Sequence, residues 1–127
     1  MLRPGVDDLA PLGRYIHLLV IQRPNKPAWK PGPRERIEWR VVTVLPSGAD
    51  RPAAPAFSSL VKAVKFLQAA VLAGTIKDVN KVGKFPQDAA PDFPFDLIPN
   101  PELDSLQSAP LGPLVTVDQT RAISQEE

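Results

Sequence analysis

The chain has 127 residues, with 15 Lys and Arg against 14 Asp and Glu, 16 prolines, one histidine and no cysteine. That length fits one domain, which buries roughly 65–70% of its unfolded surface and needs no covalent or metal staple. Absent cysteine excludes disulfides, thiolate zinc sites, iron–sulfur ligation and Cys nucleophiles, and a lone histidine excludes two-histidine metal sites. The glycines at 5, 13, 32, 48, 74, 83 and 112 never fall within three residues of one another. A dinucleotide fingerprint and a Walker loop are therefore both missing.

Residues 1–13 form a polar lead-in punctuated by Pro4, Gly5, Pro11 and Gly13. Met1–Asp8 holds acids and a proline where a signal peptide needs an apolar run. The uncharged stretch from Phe66 to Ile76 is far short of the roughly 20 apolar residues of a membrane span. The expected compartment is the cytoplasm, with no membrane partner.

Arg14–Gln22 is rich in β-branched and aromatic residues and is bounded by Gly13 and Pro24, which predicts a strand. Ile16, Leu18 and Val20 share one face, and Tyr15, His17, Leu19 and Ile21 share the other. Two apolar faces indicate a central position in a sheet. Arg23–Arg36 then carries Pro24, Pro27, Pro31 and Pro33 around Trp29. Those prolines remove backbone donors and favour an extended arm.

Ile37–Leu45 alternates apolar residues with Glu38 and Arg40 and predicts a second strand. Pro46–Asp50 is turn chemistry, and the prolines of Pro52–Phe57 confine that extended piece to a sheet edge. Ser58 and Ser59 cap a helix over about 59–73, with Leu60, Ala63, Val64, Leu67 and Val71 as its apolar stripe. Gly74 suits the left-handed position that ends it. Short strands follow at 79–85, 93–98 and 114–117, with a brief helix at 100–106 capped by Asn100. The sum is an α+β domain over 14–118: a mostly antiparallel sheet, one principal helix and a proline-rich arm at 23–36. Residues 119–127 read as a disordered tail.

Val44-Leu45-Pro46-Ser47-Gly48 leads to Pro55-Ala56-Phe57-Ser58-Ser59-Leu60, and Asn100-Pro101 follows downstream. This layout, over about 40–105, resembles SseB-like N-terminal domains, in which a Phe-Ser/Thr-Ser entry to a helix precedes an Asn-Pro motif. The resemblance implies an α+β fold and carries over no catalytic residue.

Candidate chemistry is sparse. His17, flanked by Tyr15 and Leu19, suits a packed strand residue better than a general base. Asp88, Asp92 and Asp96 lack the glycine and closing glutamate of a calcium loop. Ser58 and Ser59 have no nucleophile-elbow glycines and suit capping. Charge layout says more. Residues 1–85 carry 14 basic and 6 acidic side chains, net +8, and residues 86–127 carry 1 and 8, net −7. Such asymmetry points to an electrostatic partner, or to the acidic part folding on the basic part.

The favoured reading is a non-enzymatic protein-interaction or self-association domain without metal or cofactor. Its candidate contacts are Pro24, Pro27, Trp29, Pro31, Pro33 and Trp39, because a stiff proline arm with an aromatic anchor loses little entropy on docking. The alternative is sequence-nonspecific binding of single-stranded nucleic acid. Its candidates are Lys26, Lys30, Arg34, Arg36, Arg40, Lys62, Lys65, Lys77, Lys81 and Lys84, with Trp29 and Trp39 stacking on bases.

Overall fold

Tyr15–Arg23 forms the first strand, β1, and six of its nine residues are fully or almost fully buried aliphatics or histidine (Ile16–Ile21). The structure is a computed structural model that describes residues 13–23, 38–45, 50–103 and 111–123. The lead-in and the arm residues from Pro24 to Arg36 lie outside the described residues. The remaining elements are β2 (Glu38–Val41), β3 (Ala53–Phe57), α1 (Leu60–Leu72), β4 (Lys81–Pro86), β5 (Asp96–Pro99) and β6 (Val115–Val117). Short 3-10 segments span Gln87–Asp92 and Gln119–Arg121. The six strands make one mixed, mostly antiparallel sheet, so the α+β class is what the structure shows.

Both edges of β1 are occupied. One edge pairs with β4 from Tyr15↔Pro86 to Val20↔Lys81. The opposite edge is shared: β2 takes Val20 to Arg23, and β3 takes His17 and Leu18. The changeover falls at Leu19, whose carbonyl accepts from Val42 N at 3.0 Å. The chain then leaves β1, bridges Val44 to Ala53, and returns as β3. The predicted strand Ile37–Leu45 ends early for this reason, because its last residues pair with β3 and with Leu111 instead of β1.

The expectation that prolines confine 52–57 to an edge needs correcting. β3 is interior, antiparallel to β1 and parallel to β5. Strand alternation directs the Pro55 nitrogen to the same side as Ala53 and Phe57, into the gap that β2 leaves between the Val44 bridge and the His17↔Phe57 pair. The missing donor therefore breaks no rung of the ladder.

Two apolar clusters follow from the two faces of β1. Ile16, Leu18 and Val20 pack with Trp39, Val41, Phe85, Phe93, Phe95 and Leu97. Aromatic edges meet faces there, Trp39 on Phe85 at 6.1 Å and Phe85 on Phe93 at 5.4 Å. Gly83 leaves the room, since a Cβ at that position would stand 2.9 Å from the Phe85 ring and 3.1 Å from Trp39. On the other face Leu19, Val42, Val44 and Phe57 receive Ala63, Phe66 and Ala70 of α1, with Ile76 beyond it.

The helix begins and ends as its sequence demands. Ser59 Oγ accepts from Lys62 N, and Gly74 at φ 73 closes a Schellman turn through Gly74 N to Val71 O and Thr75 N to Ala70 O. Its buried face differs from the predicted stripe. Ala63 and Ala70 let the helix approach the sheet, and Phe66 reaches Phe57 at 5.1 Å between centroids. Of the predicted stripe, Ala63 is buried and Leu67 packs partly buried against the same cluster, whereas Val64 is half-buried and Leu60 and Val71 are exposed.

The Phe-Ser-Ser entry and the Asn-Pro motif are fastened to each other. Asn100 Oδ1 accepts from Ser58 N at 2.9 Å, and Asn100 N donates to Ala56 O. Asn100, at φ 44, thus braces the start of α1, whereas it was expected to cap a helix at 100–106. Residues 104–106 of that helix lie outside the described residues. The tail boundary also moves: Gln119–Arg121 forms a 3-10 turn and Ile123 N donates to Lys84 O at 2.7 Å.

Phe66→Ala is expected to cost about 3–5 kcal/mol in urea unfolding, from lost burial plus a cavity. Lys62→Ala, on the exposed side, is expected to stay within about 0.5 kcal/mol. Equal losses at the two positions would contradict this helix orientation.

Candidate functional site

A cleft of about 480 Å³ opens where three segments converge. Its walls are the exit of β2 (Val42, Thr43), the turn after α1 (Gly74 to Asp78) and the run from Leu111 to Leu114, with Ile21 contributing from β1. The third wall is held by backbone and by close packing. Gly112 N donates to Thr43 O at 2.9 Å, and Thr43 Oγ1 donates to Pro113 O at 2.6 Å. A Cβ at Gly112 would stand 2.7 Å from that hydroxyl oxygen, so glycine is required there. The volume lies within the range of binding clefts, and the lining is mainly apolar.

Large apolar side chains continue from the cleft onto α1. Leu111 and Leu114 are 52% and 44% exposed at the rim, Leu72 is 89% exposed, and Val61, the second residue of the helix, is 62% exposed. Val61, Lys65, Gln68 and Leu72 recur at i, i+4, i+7 and i+11, so they form one outward row. Leu60, Val64, Leu67 and Val71 form a second row beside it. Lysines stand among these rows, and α1 carries no acid.

Three acids of the second half are matched elsewhere. Asp92 and Asp88 receive Arg121 at 2.6 and 3.5 Å, and Asp96 receives Arg51 at 2.9 Å. Arg40 is held by Glu38 at 2.8 Å, and that contact, followed by the hydroxyl of Thr116, keeps the Glu38 carboxyl below the usual carboxylate range. No ion pair among the described residues includes Lys62, Lys65 or Lys77. Lys77 lines the cleft.

Two of the predicted site residues are placed differently from the expectation. Trp39 is 9% exposed, and its indole N–H donates to Gln22 Oε1 at 2.9 Å. It fills the core between β1 and β4 and offers no platform for a base. Lys84 is 6% exposed, with its ammonium 4.3 Å from the Tyr15 ring centroid. Its place opposite His17 in the ladder turns it inward, away from a phosphate. Lys81 stays exposed, 5.2 Å over the Trp39 ring. Pro24, Lys26, Pro27, Trp29, Lys30, Pro31, Pro33, Arg34 and Arg36 lie outside the described residues. Of the expected set, Lys62 and Lys65 are exposed on α1 and Lys77 lines the cleft, and Val61, Leu72 and Leu111 are exposed apolar residues that the predicted stripe and strands did not include. Leu111 gave one signal, an apolar residue unabsorbed by any predicted element.

Comparison with family models, curated proteins and solved structures finds no match to this chain. Among the described residues no group of three or more His, Asp and Glu is placed to hold a metal ion. No helix among them is long and apolar enough to cross a membrane.

His17 sits under the helix entry, 5% exposed, with Nδ1 3.1 Å from Phe57 O. A carbonyl only accepts, so Nδ1 carries the proton. Burial lowers the imidazole pKa below its ordinary 6.5, the Phe57 carbonyl opposes this, and the Lys84 charge lowers it further. The unfolded chain therefore binds a proton more readily than the folded one, and stability is complete above about 6.5 and falls as pH drops through that value. Urea midpoints are expected to decline between about pH 7.5 and 5.5 in the native chain and to flatten in His17→Gln. The single histidine makes the NMR check unambiguous. An imidazole titrating at or above 6.5 in the folded protein would contradict this placement.

Proposed function

We propose that this chain is a non-enzymatic protein-interaction domain, and that the outer face of α1 with the adjoining cleft is its binding surface. The observation that carries the reading is the exposure of Leu60, Val61, Val71 and Leu72 on a single helix, running toward a cleft rimmed by Leu111 and Leu114. Isolated exposed leucines are ordinary, whereas contiguous apolar patches mark interaction sites. A 13-residue helix is about 20 Å long, which suits helix-in-groove recognition with apolar anchors at i, i+3, i+4 and i+7. Burying each exposed leucine or valine would contribute about 1.5–3 kcal/mol before the costs of association.

The nucleic-acid alternative is set aside on the same surface. Arg40, Lys62, Lys65, Lys77 and Lys81 remain as cations, yet the described aromatic for stacking, Trp39, is in the core. Valines and leucines between the lysines would face phosphates, which gain nothing from them.

Val61→Glu/Leu72→Glu is the direct test. Both positions are exposed, so each change is expected to alter stability by no more than about 0.5 kcal/mol. The immobilised native chain should retain a defined partner from an extract of its source cells, and the double variant should release it. Equal retention by the two folded proteins would contradict the assignment of this face.

A further inference from the structure

Resting on that reading, we infer that the partner is an acidic amphipathic helix, whose carboxylates meet Lys62 and Lys65 and whose apolar end enters the cleft beside Lys77. Three observations select it over other occupants of the same face.

The first is charge complementarity. α1 holds two lysines and no acid, whereas the cleft is lined by both Lys77 and Asp78, so the charge that selects a partner is that of the helix. Among the described residues no ion pair includes Lys62 or Lys65, while Asp88, Asp92 and Asp96 are already matched by Arg121 and Arg51. Lys62 lies in the first turn of the helix, where the N-terminal end of the macrodipole also favours a carboxylate. The second is symmetry. Two copies meeting through this face about a dyad would set lysine against lysine near the centre, which opposes self-association. The third is the pattern of the two rows. Lys65 and Gln68 stand between Val61 and Leu72 in one row, and Leu60, Val64 and Val71 make the apolar row beside it, so a helix that lays an apolar ridge along the second row sets its polar flank over the first.

Polarity follows from the same positions. The acidic turns of the partner lie over Lys62 and Lys65, and its apolar anchor passes Leu72 and ends among Leu111, Gly112 and Leu114. An anchor there would be bounded by Ile21, Val42 and Ile76 and flanked by Lys77 and Asp78.

The experiment uses two synthetic helical peptides about 15 residues long, identical in a leucine stripe at i, i+3, i+4 and i+7 and carrying either Glu or Lys elsewhere. Phosphatidylserine-containing vesicles are the third probe. The Glu peptide is expected to shift amide resonances of residues 61–77 and 111–114, with affinity at least about tenfold above that of the Lys peptide at low salt. That preference should collapse near 1 M salt, where the screening length is about 3 Å. Lys62→Glu/Lys65→Glu should reverse it, which a merely structural role for these exposed lysines would not do. Equal binding of both peptides at this face would overturn the acidic partner and leave the interaction surface standing. Shifts confined to other residues, or none, would overturn both. Vesicle binding in place of peptide binding would overturn the protein partner in favour of an anionic lipid surface.

Discussion

Everything in this fold hangs on a single strand that has more neighbours than edges. β1 gives one edge to β4 and divides the other between β2 and β3, with the changeover at Leu19. Sharing an edge forces the chain between β2 and β3 to swing out through the Val44–Ala53 bridge. That excursion carries β5 on one arm and, through β2 and Val44, β6 and Leu111 on the other. It also creates the gap in which Pro55 sits without a donor. The buried aliphatic run Ile16–Ile21 makes this possible, because a strand covered on both faces and both edges leaves no backbone group to water.

The binding surface is a consequence of that divided edge. Where β2 departs from β1, Val42 and Thr43 are left beside the end of α1, and Gly112 lets the 111–114 segment close against them. A cleft results at the joint of three segments. The helix, meanwhile, buries Ala63, Phe66 and Ala70 and packs Leu67 partly against the same cluster, so Leu60, Val61, Val71 and Leu72 are left exposed. The apolar content of α1 exceeds what one face can bury, and the excess is the surface proposed for a partner.

Local rules were legible in the sequence, and long-range ones were not. The faces of β1, the Ser59 cap and the left-handed Gly74 are each decided by a few neighbouring residues, and each stands where the sequence placed it. The helix face was read correctly at Ala63 and Leu67 and misread at Leu60 and Val71, which keep the same helical spacing. Their hydrophobicity outweighs that of Ala63 and Ala70, and only the proximity of the sheet reveals that small residues let Phe66 seat against Phe57. Proline predicted an edge for β3, since sequence cannot show that β2 vacates the rung opposite Pro55. Trp39 among cations looked like a stacking platform until its indole was found bonded to Gln22 across the sheet. The cleft was illegible because its walls come from residues near 21, 42, 76 and 112, far apart along the chain.

Amide hydrogen exchange tests the central claim most directly, because it ranks local stability without altering the chain. If β1 is paired on both edges and anchors the rest, the amides of Ile16 to Val20 exchange only through global unfolding. Their opening free energies then equal the unfolding free energy from denaturant titration. The amides of residues 73–78 and 111–114, at the cleft, should open with less free energy than β1, as expected of a surface kept available for a partner. A β1 that exchanges as readily as the cleft segments would contradict the account, and would place the anchor of the fold elsewhere.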